Sequence, residues 1–344
     1  MKIRLVSDLH IDVNEKYGVS LVENGDNDVF TLIAGDICGT VGNTVSWLKK
    51  NVKRGAFCAG NHIVYNPEVL KSDVKTPIED IKNVLHENFP IDSDVTFLDY
   101  DVGVIQKEIC DGVLLVADVM YTDYKLRIPV VNPNGTIEKN MMLAEPRGFG
   151  GSYLNDFVYG FTKKKMYKKE KWDDGKSSYG TPNGIWHLRA KYYRDHHVKA
   201  WKAVTEIVES NPDKNIILMT HHCLSPKCIS DDYVNDALNA SYVSDKEKWI
   251  LAHPNVKLIL SGHVHHRANF KIGETLYVLN PLGYCRDTAT QFNPDTNENE
   301  MWTPNCFVDT DTWELSYEPY DNENWRELLE IQRKNLMRYA GIFL

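Results

Sequence analysis

The chain has 344 residues, 42% hydrophobic, 11% aromatic and 25% charged. That is enough apolar material for one large core and too much for a disordered, collagen-like or coiled-coil architecture. Its formal net charge is -9, from 39 basic and 48 acidic side chains, so an evenly charged surface would repel nucleic acid. No run approaches the roughly 18 uninterrupted apolar residues of a membrane span, and the stretch Met1–Asp8 lacks a signal-peptide apolar run. Seven cysteines form no Cys-x-x-Cys pair; reduced core thiols in a cytoplasmic protein are expected.

Lys2 to Ser7 reads as a short buried strand, followed at once by Asp8-Leu9-His10. Val29 to Ala34 is a second strand ending in Gly35-Asp36, and Val45, Leu48 and Val52 then recur at helical spacing. Ala56 to Ala59 is a third strand, ending in Gly60-Asn61-His62, so the pattern is that of a layered α/β domain. Ile78 to Asn88 reads as a helix. Val95–Leu98, Val102–Ile109 and Val113–Ala117 then read as three consecutive strands of an antiparallel meander.

Residues 120–195 lose this regularity, contain Pro129, Pro133, Pro146 and Pro182, and read as an insertion. They carry 14 Lys/Arg against 8 Asp/Glu, an excess of +6 on an acidic chain. Within them Lys163, Lys164, Lys165, Lys168, Lys169 and Lys171 alternate with Phe161, Met166, Tyr167 and Trp172. Such a run is either a solvated surface or a basic, aromatic arm that attracts a polyanion and stacks its bases.

Regularity returns with a helix over Asp195 to Ser210, whose polar start holds His196-His197. Asn215 to Thr220 is an apolar strand ending in His221-His222, and Ser244 to Ala252 is helical. Val256 to Leu260 is a strand ending in Gly262-His263-Val264-His265. Ala268–Ile272 and Thr275–Leu279 flank Gly273-Glu274 as a hairpin. A polar loop over 287–305, a strand near Phe307, and a last helix with Trp325, Leu328, Leu329 and Leu336 on one face complete the chain.

Five polar clusters therefore stand directly after strand-like runs, where α/β proteins gather their ligands and catalytic groups. Their donors are carboxylate, amide and imidazole without thiolate, a set suited to Mn²⁺, Fe or Zn²⁺ rather than to a structural cysteine site. Asp8, His10, Asp36, Asn61, His221, His263 and His265 suffice for two ions if one carboxylate is shared. Two imidazoles one residue apart on an extended segment point to opposite sides, so His263 and His265 are expected to serve different ions.

The ordered set Asp-x-His, Gly-Asp, Gly-Asn-His, His and Gly-His-x-His resembles the calcineurin-like metallophosphoesterases, specifically bacterial and phage members, from Asp8 to about Gly283. That resemblance implies a single domain over 1–344, a four-layer α/β/β/α sandwich with two facing mixed β-sheets, and residues 120–195 inserted as a cap or substrate arm. It implies two divalent transition-metal ions, manganese first with Fe, Zn or Ni as alternatives. Asp8, His10 and His265 would hold one ion, Asn61, His221 and His263 the other, and Asp36 would bridge them. His62 would protonate the leaving oxygen. Apart from the resemblance, His222 adjoins the candidate ligand His221 and is for that reason a candidate contact to substrate phosphate. One departure is Ile63, which stands where an Asp or Glu usually follows Asn-His and supplies no counter-charge.

The implied activity is phosphoester hydrolysis by a two-metal-activated hydroxide, because paired ions neutralise the ester and clamp both reacting oxygens. The basic segment inclines the substrate towards a phosphodiester, a nucleotide or nucleic acid. A phosphomonoesterase or protein phosphatase is the alternative within the chemistry. A non-catalytic scaffold of the same fold is the alternative outside it, and such a scaffold would have lost ligands. No membrane partner is implied, and the oligomeric state is open.

Overall fold

A computed structural model describes residues 1–14, 21, 29–65, 76–131, 137–142, 154–164, 185–234, 236, 238–284 and 302–318. In chain order the strands and helices begin with β1 (Lys2–Val6), α1 (Ile11–Asn14), β2 (Phe30–Ala34), α2 (Val41–Asn51), β3 (Gly55–Cys58), α3 (Ile78–Asn88) and β4 (Val95–Phe97). There follow β5 (Gln106–Cys110), β6 (Val113–Asp118), β7 (Arg127–Val131), β8 (Ile137–Met142), α4 (Asn155–Tyr159), β9 (Phe161–Thr162), β10 (Trp186–His187) and α5 (Ala190–Ser210). The last are β11 (Asn215–Thr220), α6 (Asn239–Tyr242), α7 (Glu247–Ala252), β12 (Val256–Ser261), β13 (Ala268–Ile272), β14 (Thr275–Leu279), β15 (Cys306–Asp309) and β16 (Leu315–Tyr317).

Two six-stranded mixed sheets form the body, in the orders β16-β15-β1-β2-β3-β4 and β13-β14-β12-β11-β6-β5. Each has a four-stranded parallel core, β1-β2-β3-β4 in the first and β14-β12-β11-β6 in the second; β15 pairs antiparallel with β1 and carries β16 beside it, while β13 and β5 are antiparallel edges of the second. The central strands are apolar without a break because both faces are covered. Alternate residues divide between two cores. Leu5, Leu32, Leu115, Ile217, Met219 and Leu258 interleave between the sheets. Ile33 and Phe57 turn outward onto α2 and α3, and Val116 and Leu218 onto α5. The result is the four-layer α/β/β/α sandwich that the motif resemblance implies.

The meander over 95–117 is not one. β4 pairs in parallel with β3 in the first sheet, whereas β5 and β6 pair with each other in the second. The chain crosses between sheets through a 3-10 turn at Tyr100–Val102. Apolar runs of similar length do not disclose which sheet each joins, since both are buried on two faces. The helix expected from Asp195 begins five residues earlier, at Ala190, and that expected from Ser244 begins at Glu247. His196 and His197 therefore lie inside α5, and at 4% and 2% exposure they are buried rather than on a polar start.

At both ends of 120–195 the chain is built into the body: Tyr121, Tyr124, Tyr192 and Tyr193 are all buried. The six described cysteines are free thiols, five of them buried. Among the described residues no helix is long and apolar enough to cross a membrane. The expected last helix and most of the loop over 287–305 lie outside the described residues.

Candidate metal centre

The parallel strands of both sheets deliver their carboxyl ends to one place. Asp8 follows β1, Asp36 follows β2, and Asn61 and His62 open a 3-10 turn after β3. His221 follows β11, and His263 and His265 follow β12. Five of these residues hold left-handed backbone: Asp8 (φ 51), His10 (φ 42), Asp36 (φ 51), His263 (φ 72) and His265 (φ 48). Each such residue costs of order 1–3 kcal/mol and persists only where its surroundings over-determine it. Here hydrogen bonds do so: Asp8 N donates to Gly35 O (3.1 Å) and His10 N to Asp36 O (2.9 Å). The His62 and His263 amides donate to Asp36 Oδ1 and Asp8 Oδ1, both at 2.9 Å.

The glycines of the motifs make the crowding feasible. A Cβ at Gly60 would overlap Asp36 Oδ1, and one at Gly262 would stand 2.5 Å from Asp8 Oδ2. The expectation that His263 and His265 separate by strand alternation is wrong in cause, because that segment is left-handed and not extended. They do separate, each to its own cluster.

Ligand-type atoms of Asp8, His10 and His265 all lie within 4.8 Å of one another, as do those of Asp36, His221 and His263 and those of His10, Asp36 and His62. His10 Nε2 is 2.9 Å from His265 Nε2, which is 3.5 Å from Asp8 Oδ1. Asn61 Oδ1 is 2.8 Å from His221 Nε2 and 3.0 Å from His263 Nδ1. Asp36 Oδ2 stands between the clusters, 3.3 Å from His221 Nε2 and 3.9 Å from both His10 Nε2 and His62 Nε2. His62 and His265 reach the surface, with side chains 19% and 21% exposed; His10 and His221 do not, at 1% and 0%.

The electrostatics suit cations. Burial opposes ionisation of Asp8 and Asp36, yet the surrounding histidines hold both carboxyls below their usual range. Burial, with neighbouring imidazoles, keeps His10 and His263 neutral and their lone pairs free. Burial would lower His221 too, but Asp36 raises it to about 9. Its Nδ1 lies 2.9 Å from Ala34 O and donates to it, which leaves Nε2 facing the Asn61 oxygen. Two acceptors so placed require a proton or a metal between them. Asp8 Oδ2, Asp36 Oδ2 and His263 Nε2 are buried with no hydrogen-bond partner. Orphaned buried oxygens and imidazole nitrogens, aimed together without thiol, fit divalent transition-metal ions.

His222 lies behind this mouth, buried against His263. Adjacent to His221 at a strand end, it turns the other way and is 1% exposed. It stacks 4.2 Å from His263, and burial lowers its pKa to about 3. It is a neutral backing to His263. Ile63 points into the core beneath α2 and α3, 5% exposed. In place of an adjoining acid, His62 has the Tyr284 hydroxyl 3.1 Å from Nε2 and the Tyr65 ring 4.0 Å away.

Three residues without an expected role therefore surround the site. Tyr65 follows His62 by three residues, the spacing at which a 3-10 turn eclipses side chains. Tyr284 ends the segment after β14, which is fastened by Leu282 N to Ser7 O and Gly283 N to Asp8 O. Asp156, on α4, receives the Asn61 amide nitrogen at 2.7 Å and the Tyr65 hydroxyl at 2.5 Å. Of the lysine run, Lys163 pairs with Asp80 and Lys164 with Asp101. Lys165, Lys168, Lys169 and Lys171 lie outside the described residues.

No protein-family model matches the chain, and no curated protein matches it in sequence. Among solved structures it is similar to phosphopantetheinyl hydrolase from Mycobacterium tuberculosis, with a TM-score of 0.55 and 13% identity over 87% of this chain and 98% of that one. It also matches a dimetal phosphatase from Danio rerio, with a TM-score of 0.41 and 12% identity over 81% and 86% of the two chains. A third match is the calcineurin-like phosphoesterase YfkN from Bacillus subtilis, with a TM-score of 0.32 and 11% identity over 99% and 98%. The likeness to the first is one of fold: two facing mixed sheets between helical layers.

Proposed function

We propose that this chain, which has the calcineurin-like phosphoesterase fold, is a two-metal hydrolase of phosphoesters. The observation that carries the reading is the position of Asp36 Oδ2, buried between two clusters of ligand-type atoms, 3.3 Å from His221 Nε2 and 3.9 Å from His10 Nε2. Asp8, His10 and His265 would hold one ion and Asn61, His221 and His263 the other, with Asp36 shared. When bound, such ions neutralise phosphoryl oxygens and lower the pKa of a coordinated water towards ~7.

The remaining chemistry falls to the chain. An alkoxide leaving group needs a proton, and His62 is the imidazole that reaches the surface beside Asp36. Tyr65 holds its face and Tyr284 its edge, so the ring is oriented although Ile63 supplies no charge. The buried imidazoles His10 and His221 cannot take this part, being turned inward among the donors.

The preferred substrate is a phosphodiester of nucleotide or nucleic-acid type, a preference that rests on the basic run. Its first two lysines are engaged by acids, so four of the six remain to support it. Turnover in Mn²⁺ should be compared for an aryl monoester, an aryl diester, cyclic nucleotides, and single- and double-stranded DNA. Diesters should be hydrolysed faster, and chelator should stop every reaction. Turnover of the monoester alone would reverse the substrate preference, and chelator-resistant turnover would remove the metal reading itself.

A further inference from the structure

We propose that Asp156, with Tyr65, is a positioning residue that fixes the amide of Asn61 as an oxygen donor towards His221 and His263. Helix α4, within 120–195, then completes the metal centre and does not merely lie over it. This inference rests on the two-metal reading above.

A primary amide is nearly symmetric in shape, and its oxygen and nitrogen exchange places by a half-turn of the terminal torsion. Only one orientation serves a cation, because the nitrogen end carries hydrogens and offers no lone pair. Asn61 is 3% exposed, so water does not decide the matter. The neighbours decide it. Asp156 Oδ1 accepts both the Asn61 Nδ2 proton at 2.7 Å and the Tyr65 hydroxyl proton at 2.5 Å. That oxygen is therefore an acceptor whichever state the other carboxyl oxygen is in. The Tyr65 hydroxyl, having donated its proton to Asp156, also accepts from Nδ2 at 3.1 Å. The amide nitrogen is thus engaged on the side away from the cluster. The Asn61 oxygen is left 2.8 Å from His221 Nε2 and 3.0 Å from His263 Nδ1. In the flipped amide, its oxygen would face the Asp156 oxygen and its hydrogens the cation.

Asp156 can play this part because α4 is anchored. Asp156 is 4% exposed, and its neighbour Phe157 packs on Tyr193 of α5 with ring centroids 5.4 Å apart. Beyond α4, the Thr162 hydroxyl donates to Glu79 at 2.5 Å, and Phe161 bridges to Pro77. The segment is tied to α3 on one side and to α5 on the other. Supporting residues that orient metal ligands typically alter metal affinity by 10–100-fold when lost.

The test is a Co²⁺ titration of the metal-stripped full chain, followed by visible absorption and calorimetry, for wild type, Asp156→Leu, Asp156→Asn and Tyr65→Phe. Wild type should bind two ions. Asp156→Leu, which keeps the branched shape but accepts nothing, should weaken one ion about 10–100-fold and leave the other unchanged. Asp156→Asn keeps an acceptor and should lose less. Tyr65→Phe, which retains the carboxylate, should weaken the same ion several-fold and covers the case in which Asp156→Leu does not fold. Wild-type affinity for both ions in Asp156→Leu or Tyr65→Phe would overturn the inference while leaving the two-metal reading intact. Equal weakening of both ions in a folded variant would assign Asp156 a general structural role and overturn it too. A wild type that binds one ion or none would overturn the reading on which the inference rests.

Discussion

His62 is held by a tyrosine face and a tyrosine hydroxyl, with the Asp36 carboxylate 3.9 Å from Nε2. As leaving-group acid it matters most where the leaving oxygen is basic. His62→Ala should keep its metals yet lose about 10²–10⁴-fold on alkyl phosphoesters and little on an aryl ester, whose phenolate needs no proton. Equal losses on both substrates would remove His62 from that role. The ligand-type residues were legible in the sequence because each stands within a few residues of an apolar strand end, and the strands bring those ends together. Asp156 was not, because it meets Asn61 from 95 residues away through a segment without periodicity. The burial of His222 was also hidden, since neighbouring histidines look alike until the strand end assigns them to opposite sides.

At the scale of elements, a buried charge network joins both sheets to their helices. Lys82 of α3, fully buried, lies 2.9 Å from Asp99 and from Asp101 at the crossover. His196 of α5 reaches Asp118 of β6 at 2.9 Å and Asp101 at 3.2 Å, and the Tyr192 hydroxyl donates to Asp101. Lys82→Met should cost about 3–5 kcal/mol in urea unfolding, because it leaves buried carboxylates without their cation. A cost under 1 kcal/mol would mean that water reaches them.

Burial and Lys82 act to lower the His196 pKa, but Asp118 and Asp101 outweigh them and raise it to about 9. A raised histidine contributes its full stability below the unfolded value of about 6.5, and loses it as pH rises through the folded value. Wild type should therefore lose up to about 3 kcal/mol relative to His196→Gln between pH 7 and 10. Parallel pH curves would contradict this. None of this network was legible: Lys82 carries no signal in the sequence, His196 stands at an expected polar helix start, and the crossover that buries them was itself read as a continuous meander.

At the scale of the molecule, a layered α/β domain was legible because continuous apolar strands with polar endings imply sheets covered on both faces, whereas the four-layer sandwich came from the motif resemblance alone. Which strand joins which sheet was not, since composition does not distinguish two equally buried sheets. The charge asymmetry has a consequence for any polyanionic substrate. Lys163 and Lys164 are engaged by Asp80 and Asp101, so replacing them with Ser should leave the KM for an oligonucleotide nearly unchanged. Replacing Lys165, Lys168, Lys169 and Lys171 should raise that KM and flatten its salt dependence, as fewer counterions are released. Hydrolysis of a small aryl diester should stay the same. An unaltered salt slope would leave the nucleic-acid preference without support.

The central claim is that Asp36 joins two metal sites. Metal analysis by mass spectrometry on protein saturated with Mn²⁺ and freed of excess ion tests it directly. Wild type should carry two ions per chain, and Asp36→Asn should lose occupancy at both sites together. One ion or none in an active wild type, or an Asp36→Asn variant that retains both, would contradict the account.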